Sequence, residues 1–370
     1  MRIALDARLT NYSSGGIPEY IRQLSRRLPL LDSHNDYLIL QSHKDAKSLH
    51  HLSGIRLVKC ITPAHHPLER TTLTLELLPW RTHLLHSPDF IAPHGGPWRS
   101  IITIHDLTFL RYPKFLTPKS RHYYNHQIHS SVKRADAILA DSNATRSDIL
   151  ELLGVHPEKV TTVHLAADER FHPQSEKVVI STHDRLNLPR HYLLFVGTFE
   201  PRKNIRSLLH AYADLLSQHS ITPPLLLVGK PGWLFDDTDR LLDELGIRDS
   251  VLYRSDISPQ DLPAIYTGAL ALILPSHYEG FGLPVLEAMS CGTPTIISDR
   301  ASLPEIAGDA AIKCDPDKPE SITDAMALVL FDSELRTNLS RKGIQRASHF
   351  TWATCCAKTL EVYRQVLNQS

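Results

Sequence analysis

Cysteine is scarce in this 370-residue chain: Cys60, Cys291, Cys314, Cys355 and Cys356 are odd in number, and no two of them form a CxxC pair. Neither a disulfide framework nor a cysteine-built zinc site is expected, and a reducing compartment is. Long apolar runs are missing as well. No stretch approaches the roughly 20 residues needed to span a bilayer. The N-terminal MRIALDARL carries Arg2 and Asp6, charges that the apolar segment of a signal peptide excludes. The expectation is a cytoplasmic protein, at most peripheral at the inner face of a membrane. Charge of one sign is also lacking: 40 basic residues offset 40 acidic ones, so no global field points to nucleic acid or a polyanionic surface. Low-complexity tracts and short repeats are absent too, which argues against a disordered, repeat-built or fibrous chain.

What is present is ordinary core-forming material, 42% hydrophobic and 22% charged, enough for two domains. Short β-branched or leucine-rich runs alternate with helical stretches, which argues for α/β architecture with parallel sheets covered by helices. RIALDA (2–7), HLLHSP (83–88), SIITIHD (100–106), DAILADS (136–142) and KVTTVHL (159–165) read as strands of a first sheet. YLLFVG (192–197), PLLLVGK (224–230), VLYRSD (251–256), LALILPS (270–276) and PTIIS (294–298) read as strands of a second. Between them, residues 171–190 are charged, carry Pro173 and Pro189, and show little apolar periodicity, so they read as a linker between domains 1–170 and 191–350. In KNIRSLLHAYADLLSQ, Ile205, Leu208, Leu209, Tyr212, Leu215 and Leu216 follow the spacing of one buried helical face, with Asn204 at the cap position. In SPQDLPAIY, Ser258 reads as an N-cap and Pro259 as the first helical residue.

Ligands of such sheets bind beyond the carboxyl ends of the strands. Four places there carry chemistry. Gly15 and Gly16 follow the first strand and open an amphipathic helix, where backbone can approach an anion closely; a plain turn is the alternative. In FVGTFEPRKN, Arg202 and Lys203 stand near a helix start, a fork and a point charge suited to a diphosphate, or else a solvated pair. In HYEGFGLPVLEAM, the glycines Gly280 and Gly282 let the amides of Gly280, Phe281, Gly282 and Leu283 face a phosphate. A carboxylate about 4 Å from that phosphate would be repelled by roughly 4 kcal/mol at an effective dielectric near 20. Glu279 and Glu287 should therefore point past the phosphates and accept hydrogen bonds from sugar hydroxyls, Glu279 on a hexose and Glu287 on a ribose. For Glu287 the alternative is a helix-dipole partner in the first turn. Finally, His105 and Asp106 end a strand of the first domain, where the imidazole can bind a hydroxyl or move a proton. His122, His126 and His129 share a helical face, but no carboxylate or cysteine completes a ligand set, so no metal is expected.

The string SHYEGFGLPVLEAMSCGTPTIISDRASLPEIAGDAAIKCDP (276–316) resembles the donor-site region of retaining glycosyltransferases of family 4. GGIPEYIRQL, HSPDFIAP, TIHDLTFLRYP, ADSNATRSDIL, FVGTFEPRKN and LLLVGKPGW stand in that family's order. The two glutamates separated by seven residues are its most specific sign. HDLTFLRYP, EPRKN and VGKPGW look most like the mannosyltransferase branch that extends bacterial O-antigen and related polysaccharides from GDP-mannose.

The resemblance implies a GT-B fold, two Rossmann-like doubly wound domains facing across a cleft, with the last helix (351–370) returning to the first. It implies a nucleotide-sugar donor and a saccharide or lipid-linked saccharide acceptor. Neither cofactor nor metal is implied, and the anomeric configuration is retained without a covalent nucleophile. Arg202 and Lys203 would hold the diphosphate, Gly15 and Gly16 would close on it, Glu279 with the amides of 280–283 would position the hexose, Glu287 would hold the ribose, and His105 would contact the sugar. One departure stands out: VLYRSDIS places Arg254 and Ser255 where many relatives have glycine near the nucleotide base, so a UDP-sugar stays open beside GDP-mannose. A nucleotide-sugar epimerase, a phosphorylase (for which no pyridoxal lysine is identifiable) and a silent nucleotide-sugar-binding protein are the rival classes. Arg22, Arg26, Arg27, Lys133 and Arg134 offer at most weak contact with an anionic membrane, about 1 kcal/mol per residue.

Overall fold

The structure is a computed structural model that describes residues 1–11, 15–45, 55–232 and 237–368. Trp233 of the VGKPGW motif lies outside the described residues. The chain divides into two units, Met1–Leu165 with Thr351–Ser370, and Ala166–Phe350.

In the first unit the strands are β1 (Arg2–Asp6), β2 (Asp36–Ser42), β3 (Arg56–Cys60), β4 (Leu84–Ser87), β5 (Arg99–Ile104), β6 (Ala137–Ala140) and β7 (Val160–Thr162). They pair in parallel in the order β3-β2-β1-β4-β5-β6-β7. The central strands are buried on both faces, which is why their sequences are continuous apolar runs such as IALD and SIITI. β2 and β3 were not among the expected strands. β3 sits at the sheet edge with two of its five residues exposed, so its apolar signal is short and broken. The helix Trp352–Asn368 belongs to this unit and packs on the helix Gly16–Leu31 and on β5 and β6. Its buried positions, among them Cys355, Cys356, Leu360 and Tyr363, recur at three-and-four spacing. Tyr363 anchors it through a 2.6 Å hydrogen bond to Nδ1 of fully buried His86, whose Nε2 lies 2.8 Å from Thr103 Oγ1.

In the second unit β8 (Leu193–Val196), β9 (Leu225–Val228), β10 (Val251–Arg254), β11 (Ala271–Leu274), β12 (Thr295–Ser298) and β13 (Ala311–Cys314) form a parallel sheet in the order β10-β9-β8-β11-β12-β13. β13, a half-exposed edge strand, was also not expected. The expected linker 171–190 is instead largely the helix Glu176–Leu186, part of this unit and packed on the helix Leu262–Gly268. Its inner face is polar, which hid it: buried His183 sits against Gly268, where an added Cβ would lie 2.5 Å from the imidazole, and its Nε2 lies 3.1 Å from Tyr192 Oη, which donates to Ile265 O. Two cap assignments also change. Ser258 and Pro259 precede the helix rather than start it; Ser258 Oγ donates to Asp261, and the helix begins at Leu262. Asn204 makes no side-chain cap to the helix Ile205–Gln218 and sits in the left-handed region at φ 57°.

Candidate active site

In the second unit the chain winds from β8 outward to β9 and β10, then crosses back to place β11 on the other side of β8. This reversal opens a crevice at the carboxyl ends of β8 and β11, the place where doubly wound sheets bind ligands. The loops leaving those two strands carry the expected donor residues. They are fastened together: His277 N donates to Arg202 O at 2.8 Å, and the Asn204 amide donates to Pro275 O at 3.1 Å and Pro316 O at 2.7 Å. Gly229, which follows β9, is required by this packing, since a Cβ there would lie 1.9 Å from Gly197 O.

A single turn, Pro201–Lys203, presents both cations. Lys203 Nζ donates to Glu279 Oε1 at 2.6 Å, and Arg202 Nη1 donates to Glu279 Oε2 at 2.7 Å. Ser276 Oγ adds a third bond to Glu279 at 2.7 Å, while Arg202 Nε turns to Glu200 at 2.8 Å. The sequence suggested that Glu279 points past the phosphates; the structure pairs it with the two cations expected to hold them. The reason is burial. Lys203 and Glu279 are each only 5% exposed, and a buried ammonium without a counter-ion is disfavoured by several kcal/mol. Burial also works against the Glu279 charge, but Lys203 and Arg202 more than offset it and hold its pKa at about 2. Lys203 shares that one carboxylate with Arg202, so burial prevails and its pKa falls below the usual lysine range.

The helix Leu283–Ser290 starts at Gly282, whose φ of 101° and 2.6 Å approach of a would-be Cβ to Leu303 Cδ2 both exclude a side chain. Ser302 Oγ lies 2.8 Å from Glu279 O and 2.9 Å from Phe281 O and pins the turn from inside. Phe281 itself is buried, edge-on to Phe350 at 6.0 Å. Glu287 lies in the second turn of this helix, half-buried, and accepts from Tyr266 Oη at 2.8 Å, so it is not a first-turn acid. Arg254 forks onto Asp256 and also bonds the Leu186 carbonyl.

In the first unit Gly15 caps the helix Gly16–Leu31, and the residues just before it, 12–14, lie outside the described residues. His105 follows β5. Its Nδ1 lies 2.6 Å from Asp141 and its Nε2 2.8 Å from Pro88 O, both acceptors, and the Tyr20 ring meets it edge-on at 5.4 Å. Burial opposes an imidazolium here, but the Asp141 charge and hydrogen bond and the Pro88 carbonyl overcome it, pushing the pKa up to about 9. Asp141, buried beside it, is raised from the usual carboxylate range. Sequence reading missed Asp141, Glu200 and Ser276. Each lies in a quoted motif at a strand end, which was the available signal.

The expected His122, His126 and His129 are exposed on the helix Pro118–Arg134. Of the basic residues proposed for a membrane, Arg22 pairs with Glu19 at 3.2 Å and Arg27 donates to Gln23. Among the described residues no helix is long and apolar enough to cross a membrane.

Comparison with known proteins identifies the family and the fold. Residues 14–171 match the family described as Glycosyltransferase Family 4, and residues 181–346 match Glycosyl transferases group 1. O-antigen chain mannosyltransferase B of Escherichia coli is 31% identical over 98% of this chain and 100% of its own. The chain belongs to the family 4 glycosyltransferases. Serotype-specific mannosyltransferase WbdA of Escherichia coli is 30% identical over 76% of this chain, which spans 35% of that longer protein. Sucrose-phosphate synthase from Thermosynechococcus elongatus superimposes with a TM-score of 0.80 at 21% identity, covering 100% of both chains. Anabaena HepE, solved with UDP-glucose, gives 0.79 at 16% over 99% of this chain and 100% of its own. These matches show the fold of this glycosyltransferase to be GT-B.

Proposed function

We propose that this glycosyltransferase moves a mannosyl residue from GDP-mannose to a saccharide or lipid-linked saccharide acceptor in cell-surface polysaccharide synthesis, retaining the anomeric configuration and needing no metal. The observation that carries the donor half is the convergence of Arg202 and Lys203 on Glu279 at the β8/β11 crevice. Before the donor arrives, the carboxylate serves as the counter-ion of both cations. A diphosphate entering there takes over Arg202 and Lys203, and Glu279 turns to accept from the hydroxyls of the hexose. As the bond to the sugar breaks, negative charge grows on the leaving phosphate, where fixed cations act most strongly. Glu287, with the turn 280–283, would hold the ribose side, and Gly15 and Gly16 would close on the phosphates. His105, kept protonated by Asp141, would bind a sugar oxygen by exchanging the bond that its Nε2–H makes to Pro88 O. The acceptor hydroxyl arrives on the same face as the departing phosphate, which takes its proton.

Support for mannose is the relatedness to O-antigen chain mannosyltransferase B over the full length of both chains. A UDP-sugar is the second reading, because Arg254 stands where many relatives have glycine. Calorimetric titration with GDP-mannose, GDP, UDP-glucose and UDP, without added metal, decides between them. Preferential binding of the guanine nucleotides is expected; preference for the uracil nucleotides transfers the assignment to a glucosyl or galactosyl donor. Activity abolished by EDTA would count against the metal-free reading.

A further inference from the structure

The two hydrogen bonds of His105, to Asp141 and to Pro88 O, run from N–H groups that lie in the plane of its ring. They resist a shift of the imidazole but not a tilt about the line that joins them. The group that meets the ring across its plane is Tyr20, at 5.4 Å and an interplanar angle of 86°. Such edge contacts between rings have a preferred geometry, unlike simple apolar packing. Binding a sugar oxygen makes this contact matter more, because once Nε2–H leaves Pro88 O only Asp141 still holds the imidazolium from within the first unit by a hydrogen bond. Tyr20 is then the wall against which the ring settles.

Tyr20 is itself held. It lies one turn inside the helix Gly16–Leu31, and its Oη is 3.2 Å from Oγ1 of Thr103, which falls on the same side of β5 as His105 two residues later. Thr103 Oγ1 lies 2.8 Å from His86 Nε2, and His86 Nδ1 lies 2.6 Å from Tyr363 Oη. All four side chains are buried. A line of hydrogen bonds therefore runs from the helix Trp352–Asn368 through β4 and β5 to the ring pressed on His105. The same helix reaches Tyr20 a second time, through the buried ring of Trp352 at 6.4 Å.

Apolar side chains could fill this layer without burying four polar groups. What the polar groups add is direction, since a hydrogen bond fixes an angle where an apolar contact does not. His86 carries that direction in its neutral form: burial and the neighbouring His105 charge lower its pKa to about 3. A neutral imidazole donates through one nitrogen and accepts through the other, so the proton of the Tyr363 hydroxyl dictates the role of Thr103. We propose that Tyr20 is a positioning residue for His105 in sugar transfer, and that Tyr363 sets Tyr20 through His86 and Thr103. The inference rests on the reading of His105 as a sugar contact.

Thr103→Val keeps the shape of the side chain and removes the hydroxyl that both neighbours use; Tyr363→Phe removes one oxygen at the far end. The full chain and both variants are compared by NMR of the His105 ring, by GDP affinity, and by GDP or UDP release from whichever of GDP-mannose and UDP-glucose the protein binds, with methyl α-mannopyranoside as acceptor. Both variants should bind the nucleotide as wild type does, which checks folding, while the His105 ring signals move because the Tyr20 ring beside them has turned. Turnover should fall about three- to tenfold, the scale of one aromatic contact, with KM for the donor within about twofold of wild type. On a His105→Asn background, Thr103→Val should lower turnover no further. His105 signals that stay at their wild-type positions in both variants overturn the proposal, and this reading needs no turnover. A fall in turnover that recurs in full on the His105→Asn background overturns it too, since the hydroxyl then acts through the fold alone. If His105→Asn transfers as well as wild type, the role of His105 falls and the positioning role with it. If His105→Asn is impaired while Thr103→Val and Tyr363→Phe match wild type, the positioning chain falls alone.

Discussion

Replacing Glu279 by glutamine removes one charge with almost no change of shape, and leaves Arg202 and Lys203 facing each other without their shared counter-ion. The magnitude follows from the carboxyl group itself. The distance from its ordinary 4.5 to about 2 in the fold is worth about 3 kcal/mol. With Glu279 only 5% exposed, solvent screening takes little of this away. A depressed carboxylate contributes stability that is present above pH 4.5 and lost as the pH falls through about 2. At neutral pH Glu279→Gln should therefore destabilise the second unit by about 3 kcal/mol, in line with the roughly 3–5 kcal/mol typical of a broken buried pair. At about 2–4 °C per kcal/mol, its melting transition should fall by roughly 6–12 °C. Nucleotide binding should move the other way. A carboxylate roughly 5 Å from a phosphate repels it by about 3 kcal/mol at a dielectric near 20, so the variant should bind GDP as well as wild type or up to about a hundredfold more tightly. Sugar transfer should nonetheless drop by about ten- to a hundredfold, the loss of a charge-assisted hydrogen bond to the hexose. Thermal and urea melts, calorimetry with GDP and a transfer assay measure all three. A stability change under about 1 kcal/mol, or a GDP affinity weakened more than about tenfold, refutes the reasoning.

Lys203→Ala should weaken GDP-mannose binding and turnover together, because the diphosphate loses a cation in both ground and transition states; unchanged kinetics remove the phosphate role of Lys203. His105, raised from 6.5 to about 9, contributes stability that is fully present below pH 6.5 and fades as the pH rises through 9, at most about 3 kcal/mol given its tight coupling to Asp141. In Asp141→Asn only the Pro88 carbonyl and the more distant Asp89 charge still oppose burial, so an NMR titration should find the His105 pKa well below its wild-type value; a value still near 9 would mean that Asp141 is not what holds the proton.

The parallel α/β architecture was legible because buried central strands must be written as apolar runs, and β1, β4, β5, β8, β9, β11 and β12 are written so. Edge strands β3 and β13 need one covered face only, and the helix Glu176–Leu186 packs through a histidine and a threonine, so their sequences carry little period. Candidate site residues at strand ends could be singled out for the same topological reason: Arg202, Lys203, Glu279 and His105 are polar groups set where apolar runs stop.

What each of those groups bonds was not readable. Glu279 lies 76 residues from Lys203, and Asp141 lies 36 from His105; no local rule reports such distances. Asp6 was visible only as a charge in the first strand, and Arg8 was not singled out; their pairing with Glu69 appears only in the fold. The sequence by itself determined which residues could bear charge at the ends of the strands. The tertiary structure alone decided which charges neutralise one another, because Coulomb energy and burial depend on separation in space.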